Sequence, residues 1–128
     1  MPYYFSKTLN ADFDAAVGRT VEALKEEGFG VLTDIDISDT LKKKINADFR
    51  RYRILGACNP TLAFEALQSE DKIGTMLPCN VVVQQLPDGR VEVAAVDPVA
   101  SMMAIDNPKL GKTASLVRDK LQRVVDRI

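Results

Sequence analysis

The sequence predicts an α+β fold: a two-layer domain with a mainly antiparallel sheet and helices packed on one face. Three observations predict it. Segments with strand and helix periodicity follow one another in the order β-α-β-α-β-α-β-β-α. The last two strands are joined by Pro87-Asp88-Gly89, where Pro sets φ, Asp bonds its own backbone and Gly takes positive φ. The chain therefore ends in a meander rather than in strict βαβ alternation, which favours an antiparallel layer. Its 128 residues, 46% of them hydrophobic and 27% charged, are enough to close one core without metal or disulfide staples. No repeat, linker or low-complexity tract divides the chain, so residues 1–128 read as a single domain.

Each element has its own signal. Tyr3 to Leu9 interleaves aromatic, β-branched and polar residues and reads as a strand. Asn10 or Asp12 can cap the next helix, whose stripe of Phe13, Val17, Thr20, Val21 and Leu24 ends near Gly28, a suitable C-cap. From Phe29 to Ile37, Val31, Thr33, Ile35 and Ile37 alternate with Leu32, Asp34 and Asp36, the pattern of a half-buried strand. Ser38-Asp39 offers a cap for a shorter helix through about Phe49. Tyr52 to Ala57 is the third strand. Asn59-Pro60 then pairs a capping residue with proline at the first helical position, ahead of Leu62, Ala63, Ala66 and Leu67. Leu77-Pro78 breaks the chain before the strand from Cys79 to Leu86, and Val91, Val93 and Ala95 alternate along the returning strand until Asp97-Pro98. The final stripe, Leu110, Ala114, Val117, Leu121, Val124 and Ile128, can cover a sheet or form a seam with a second copy.

Composition removes several function classes. The chain has no His, so His-based triads, Cys–His pairs and His-bearing metal motifs cannot be built within it. A net charge of −1 argues against general nucleic-acid binding, which needs a surplus of Lys and Arg. No apolar run is long enough for a membrane span, and the opening Met-Pro-Tyr-Tyr-Phe-Ser-Lys does not resemble a signal peptide. The expectation is a cytoplasmic protein whose two Cys are thiols unless they are chemically active.

Two Cys-Asn pairs are the candidate site. Cys58-Asn59 lies between a strand and a helix N-terminus, where the macrodipole favours a thiolate, and Cys79-Asn80 lies where Pro78 hands over to a strand. The opposing reading is two small buried hydrophobes. Two thiols alone cannot complete a tetrahedral zinc site, although a dimer could bring four together. The basic run Lys42, Lys43, Lys44, Arg50, Arg51 and Arg53, with Phe49 and Tyr52 between, suits an anion or equally a solvated face. Asp34, Asp36, Asp39 and Asp97 can do acid–base or Mg²⁺ chemistry, but Asp34 and Asp36 are more simply the wet side of their strand. Met102-Met103 can line an adaptable surface or fill a core gap.

Taken together, Gly56-Ala57-Cys58-Asn59-Pro60, Ala63, Ala66-Leu67, Ile73-Gly74 and Leu77-Pro78-Cys79-Asn80-Val81-Val82-Val83 resemble the family catalogued as domain of unknown function 302. Leu24-Lys25-Glu26-Glu27-Gly28-Phe29-Gly30-Val31-Leu32 and Val96-Asp97-Pro98 are similar to it too, so the likeness covers nearly the whole chain. The resemblance implies a TATA-binding-protein-like arrangement, with a curved antiparallel sheet, helices on one face, and dimers. It supplies no reaction, and a shared fold does not bring DNA binding with it.

The leading expectation is a small-ligand, metal or redox-responsive binding domain, with its site at Cys58, Asn59, Pro60, Pro78, Cys79 and Asn80. Any metal would fall to Cys58 and Cys79, and neither ligand nor cofactor can be named from these residues. The alternative is a non-catalytic homodimeric interaction module. An enzyme ranks last, because no acid and base can be paired.

Overall fold

A computed structural model describes residues 2–128. Five strands, β1 (Tyr4–Leu9), β2 (Gly30–Asp36), β3 (Tyr52–Cys58), β4 (Cys79–Gln85) and β5 (Val91–Val96), form one open sheet in the order β1-β5-β4-β3-β2. Every neighbouring pair is antiparallel. The helices are α1 (Phe13–Glu26), α2 (Ile37–Ile45), α3 (Pro60–Ser69), the short α4 (Pro98–Ser101) and α5 (Pro108–Arg127), with a 3₁₀ turn over Asp71–Met76. The expected order and the α+β class both hold.

Strand alternation sets the layers. Leu55 and Ala57 of β3, Cys79, Val81 and Val83 of β4, and Val91, Val93 and Ala95 of β5 are buried. They pack with Phe13, Ala16 and Leu24 of α1 and with Leu121, Val124 and Val125 of α5. The intervening residues Ile54, Val82, Gln84, Ala94 and Val96 stay half-exposed on the other face. Leu24, Leu55, Val81, Val83, Leu121 and Val124 have no exposed surface. At about 1.5–3 kcal/mol of transfer free energy per large aliphatic side chain, this helix–sheet layer dominates the stability. The terminal stripe faces its own domain: Leu110, Ala114, Leu121, Val124 and Ile128 are buried, and α5 packs on α1, α3, β1 and β5.

Three expectations are corrected. The second helix starts at Ile37 rather than after Ser38-Asp39, because the Asp36 carboxylate accepts from the Asp39 N–H at 3.0 Å. It stops at Ile45 and not near Phe49, because Asn46 turns left-handed at φ 53°, a conformation Asn tolerates. The half-buried alternation of Val31, Thr33, Ile35 and Ile37 does not survive either. β2 is an edge strand, a bulge between Val31 and Thr33 shifts its register, and Ile37 belongs to the helix. Leu32 and Ile35 are left 67% and 45% exposed. The 3₁₀ turn and α4 are too short to carry a periodic signal.

Candidate functional site

Cys58 ends β3, and Asn59 caps α3 by accepting from the Leu62 N–H at 3.3 Å, with Pro60 following at the helix start. The Asn59 amide also reaches back over the α1–β2 turn, where Gly28 sits at φ +85° with Asn59 Nδ2 3.1 Å from where a β-carbon would stand. On the neighbouring strand, Cys79 opens β4 and lies opposite Ala57. Before it the Leu77–Pro78 peptide is cis, and the Pro78 ring lies over Gly56. Antiparallel pairing of β3 with β4 is what brings residues 21 positions apart to one end of the sheet.

That end is hollow. A cavity of about 360 Å³ lies between the ends of β3 and β4 and the helices α3 and α5. Its wall includes Cys58, Asn59, Pro78 and Cys79, with Leu62 and Ala66 from α3, Leu110 and Ala114 from α5, and Met102 after α4. No charged side chain lines it, and its other polar contributor is Thr113, whose hydroxyl is already donated to the Lys109 carbonyl at 3.3 Å. Such a lining suits an uncharged, mainly apolar occupant, and the volume falls within the roughly 300–1,000 Å³ usual for ligand pockets.

Of the six sequence candidates, the fold gathers Cys58, Asn59, Pro78 and Cys79 at this cavity. Pro60 is exposed and serves as the first residue of α3, while Asn80 points to the half-exposed sheet face. The thiols are free and unequal: Cys58 is partly exposed, Cys79 buried. Burial, and secondarily the neighbouring Cys58, pushes the Cys79 thiol up to about 11, so at neutral pH it is protonated. The helix-end activation expected for a thiolate does not extend to Cys79.

The remaining candidates have structural partners. Asp34 pairs with Arg53, Asp36 caps α2, and Asp39 pairs with Lys43 at 3.0 Å. Arg51 bonds Asp14 at 2.9 Å and lies over Phe13, and Arg50 lies over Phe49 and bonds Gln84. Lys42 pairs with Asp48 as well, so Lys42, Lys43, Arg51 and Arg53 of the basic run each have a carboxylate partner within the chain. Asp97 is buried, caps α4 through the Val99 and Ala100 N–H groups, and faces Arg118 Nε at 3.4 Å just behind the cavity wall. That nitrogen makes no hydrogen bond, so the contact is an ion pair only.

Sequence reasoning missed Asn107. Its side-chain oxygen accepts from the Lys109 and Leu110 N–H groups, capping α5. Its amide donates to the Ser69 carbonyl at 2.8 Å and to Glu70 at 3.1 Å, tying α5 to the end of α3. The capping signal Asn-Pro was present at 107–108, but not the partner 38 residues earlier.

A comparison with curated proteins yields no match. Among solved structures, the chain is similar to an uncharacterised conserved DUF302 protein from Bacillus stearothermophilus, at 28% identity and a TM-score of 0.92, covering 99% of this chain and 98% of that one. The family model described as "Domain of unknown function DUF302" matches residues 5–128. The chain therefore belongs to the DUF302 family.

Proposed function

We propose that this chain is a small-ligand binding domain whose site is the cavity bordered by Cys58-Asn59 and Pro78-Cys79. One observation carries the reading: an apolar hollow of about 360 Å³ at the end of the sheet where Cys58-Asn59 and Pro78-Cys79 meet. The exposed Leu32 and Leu67 belong to its lining and mark its mouth. An uncharged apolar molecule would gain burial against α3 and α5 and meet few polar groups: Asn59 and the thiols at the cysteine end, and the Thr113 hydroxyl on α5, which is already bonded to the Lys109 carbonyl.

The test is an NMR titration with small apolar probes such as benzene derivatives and medium-chain alcohols. Saturable shifts confined to residues around the cavity are expected, and Ala63→Phe, which fills the lining from a partly exposed position, should abolish them. Absence of saturable shifts in the folded protein, or identical shifts in Ala63→Phe, would reject the reading.

A second reading, a homodimer built on the half-exposed sheet face, has its own support. Tyr3, Tyr4, Tyr52, Val82, Ala94 and Val96 form a shallow groove there, and Tyr3 is 68% exposed. Burying such a face in a TATA-binding-protein-like dimer would remove it from water. The free state of both thiols fits a cytoplasmic setting. Sedimentation of wild type and Tyr4→Glu decides: a dimer that Tyr4→Glu dissociates supports this reading, and a monomeric wild type refutes it.

A further inference from the structure

We propose that α3 and the 3₁₀ turn, residues 60–77, form a lid that opens as one body and gates the cavity, an inference that rests on the ligand-binding reading of that cavity. The segment leaves the sheet at the end of β3 and re-enters it at the start of β4, where Ala57 and Cys79 are paired neighbours. Its two joins therefore lie side by side. The whole excursion can swing about them while the β3–β4 ladder stays intact, with the movement absorbed at element ends.

Packing separates this segment from the sheet. Its buried side chains are Leu62, Ala66 and Ile73. Ala66 and Ile73 join Leu110 of α5 in a small cluster apart from the core built on the sheet. α3 packs chiefly on α5 and on the 3₁₀ turn, and no strand is among its main partners. Where side chains would otherwise join lid to sheet, the cavity intervenes: Leu62, Ala66 and Leu67 form one wall, and Ala57 and Cys79 belong to another. A unit that buries so little against its neighbours opens at lower free energy than the core strands.

Polar contacts set where it pivots and where it is held. Among the described residues, hydrogen bonds join residues 60–77 to the rest of the chain at Asn59, beside the first join, and at Asn107. Asn107 Nδ2 donates to the Ser69 carbonyl and to Glu70 at the corner between α3 and the 3₁₀ turn, far from both joins, and so acts as a latch. One lip of the mouth, Leu67, rides on the lid, and the other, Leu32, sits on β2. Release of the latch lets α3 draw away from β2 and widens the mouth. An apolar occupant touches both walls and thereby favours the closed form.

The test is amide hydrogen exchange of the full-length chain, followed by NMR. Without ligand, amides of α3 and the 3₁₀ turn, such as Glu70 bonded to the Ala66 carbonyl, are expected to exchange at least about tenfold faster than those of Val81, Val83 and Val93. They should also share one urea dependence, weaker than that of the strands, because a lid opening exposes less surface than unfolding. Asn107→Asp keeps the α5 cap but loses the donor, and should speed lid exchange by up to about tenfold, the factor one hydrogen-bonded tie is worth. Saturating hexanol should slow it. Lid amides that exchange only together with the strands, or at an unchanged rate in folded Asn107→Asp, would overturn the gate, and so would hexanol that binds without slowing them. If hexanol still binds in those cases, the cavity reading stands without a lid. If the lid opens alone but neither hexanol nor benzene derivatives bind, the cavity reading falls and the gate falls with it.

Discussion

Gly56 and Pro78 approach so closely that a β-carbon on residue 56 would stand 2.6 Å from Pro78 Cγ, and it would collide even more severely with Thr33 Oγ1. Glycine is therefore required by the close approach of Thr33 on β2 and of Pro78 just before β4, and not by its own φ. Gly56→Ala must push apart β2, β3 and the Pro78 segment, and overpacking of this kind typically costs about 1–3 kcal/mol. Urea unfolding is expected to show a loss of that size. A change below about 0.5 kcal/mol, the usual range for a neutral surface substitution, would mean that the segment yields freely.

Asn107 holds the far side of the cavity by capping α5 and tying it to Ser69 and Glu70. Asn107→Ala removes both functions and is expected to cost about 1–2 kcal/mol, as for loss of a good N-cap. Asn107→Asp keeps the capping oxygen but loses the donor and places a carboxylate beside Glu70, so it should recover only part of that loss. Paired thermal melts of the two variants check this, and equal stability of Asp and Asn would show that the tie contributes nothing.

The two thiols differ in access and ionisation. With Cys79 pushed up to about 11, about one thiol in a thousand is ionised at pH 8 by the titration relation, and it is buried as well. Iodoacetamide is expected to label Cys58 in the native protein at least about tenfold faster than Cys79, the thiolate being the reactive form. Peptide mapping over time measures both rates. Faster labelling at Cys79 would require an opening of the β4 entrance that the fold does not provide.

Glu27 is buried at the α1 C-cap and bonds Arg123 at 3.0 Å and Arg127 at 2.8 Å. Burial alone would raise its pKa, but the hydrogen bonds and charges of the two arginines outweigh that and hold it below the ordinary 4.5. A depressed carboxylate contributes stability that is present above its unfolded pKa and lost as pH falls through the folded one. Wild type should exceed Glu27→Gln by about 1 kcal/mol at pH 7, a modest figure because both arginines are half-exposed. The gap should shrink below about pH 4.5. Urea midpoints from pH 7 to 3 measure it, and a constant gap would contradict the assignment.

What the sequence by itself determined is whatever local chemistry specifies. The order of elements, the Asn59-Pro60 helix start, the Pro87-Asp88-Gly89 turn and the stripes of α1 and α5 follow from caps, fixed φ angles and 3.6-residue periodicity. Cys58 and Cys79 were legible as element-end residues for the same reason. What only the tertiary structure decided depends on partners distant in sequence. Strand order made β2 an edge, so its apolar residues stayed exposed despite their alternation. Register placed Cys79 opposite Ala57, and helix packing left a hollow beside them. Asn107 became a tie only because α3 ends next to it. Spacing encodes which face a side chain takes on its own element; what that face meets is settled by how the elements pack.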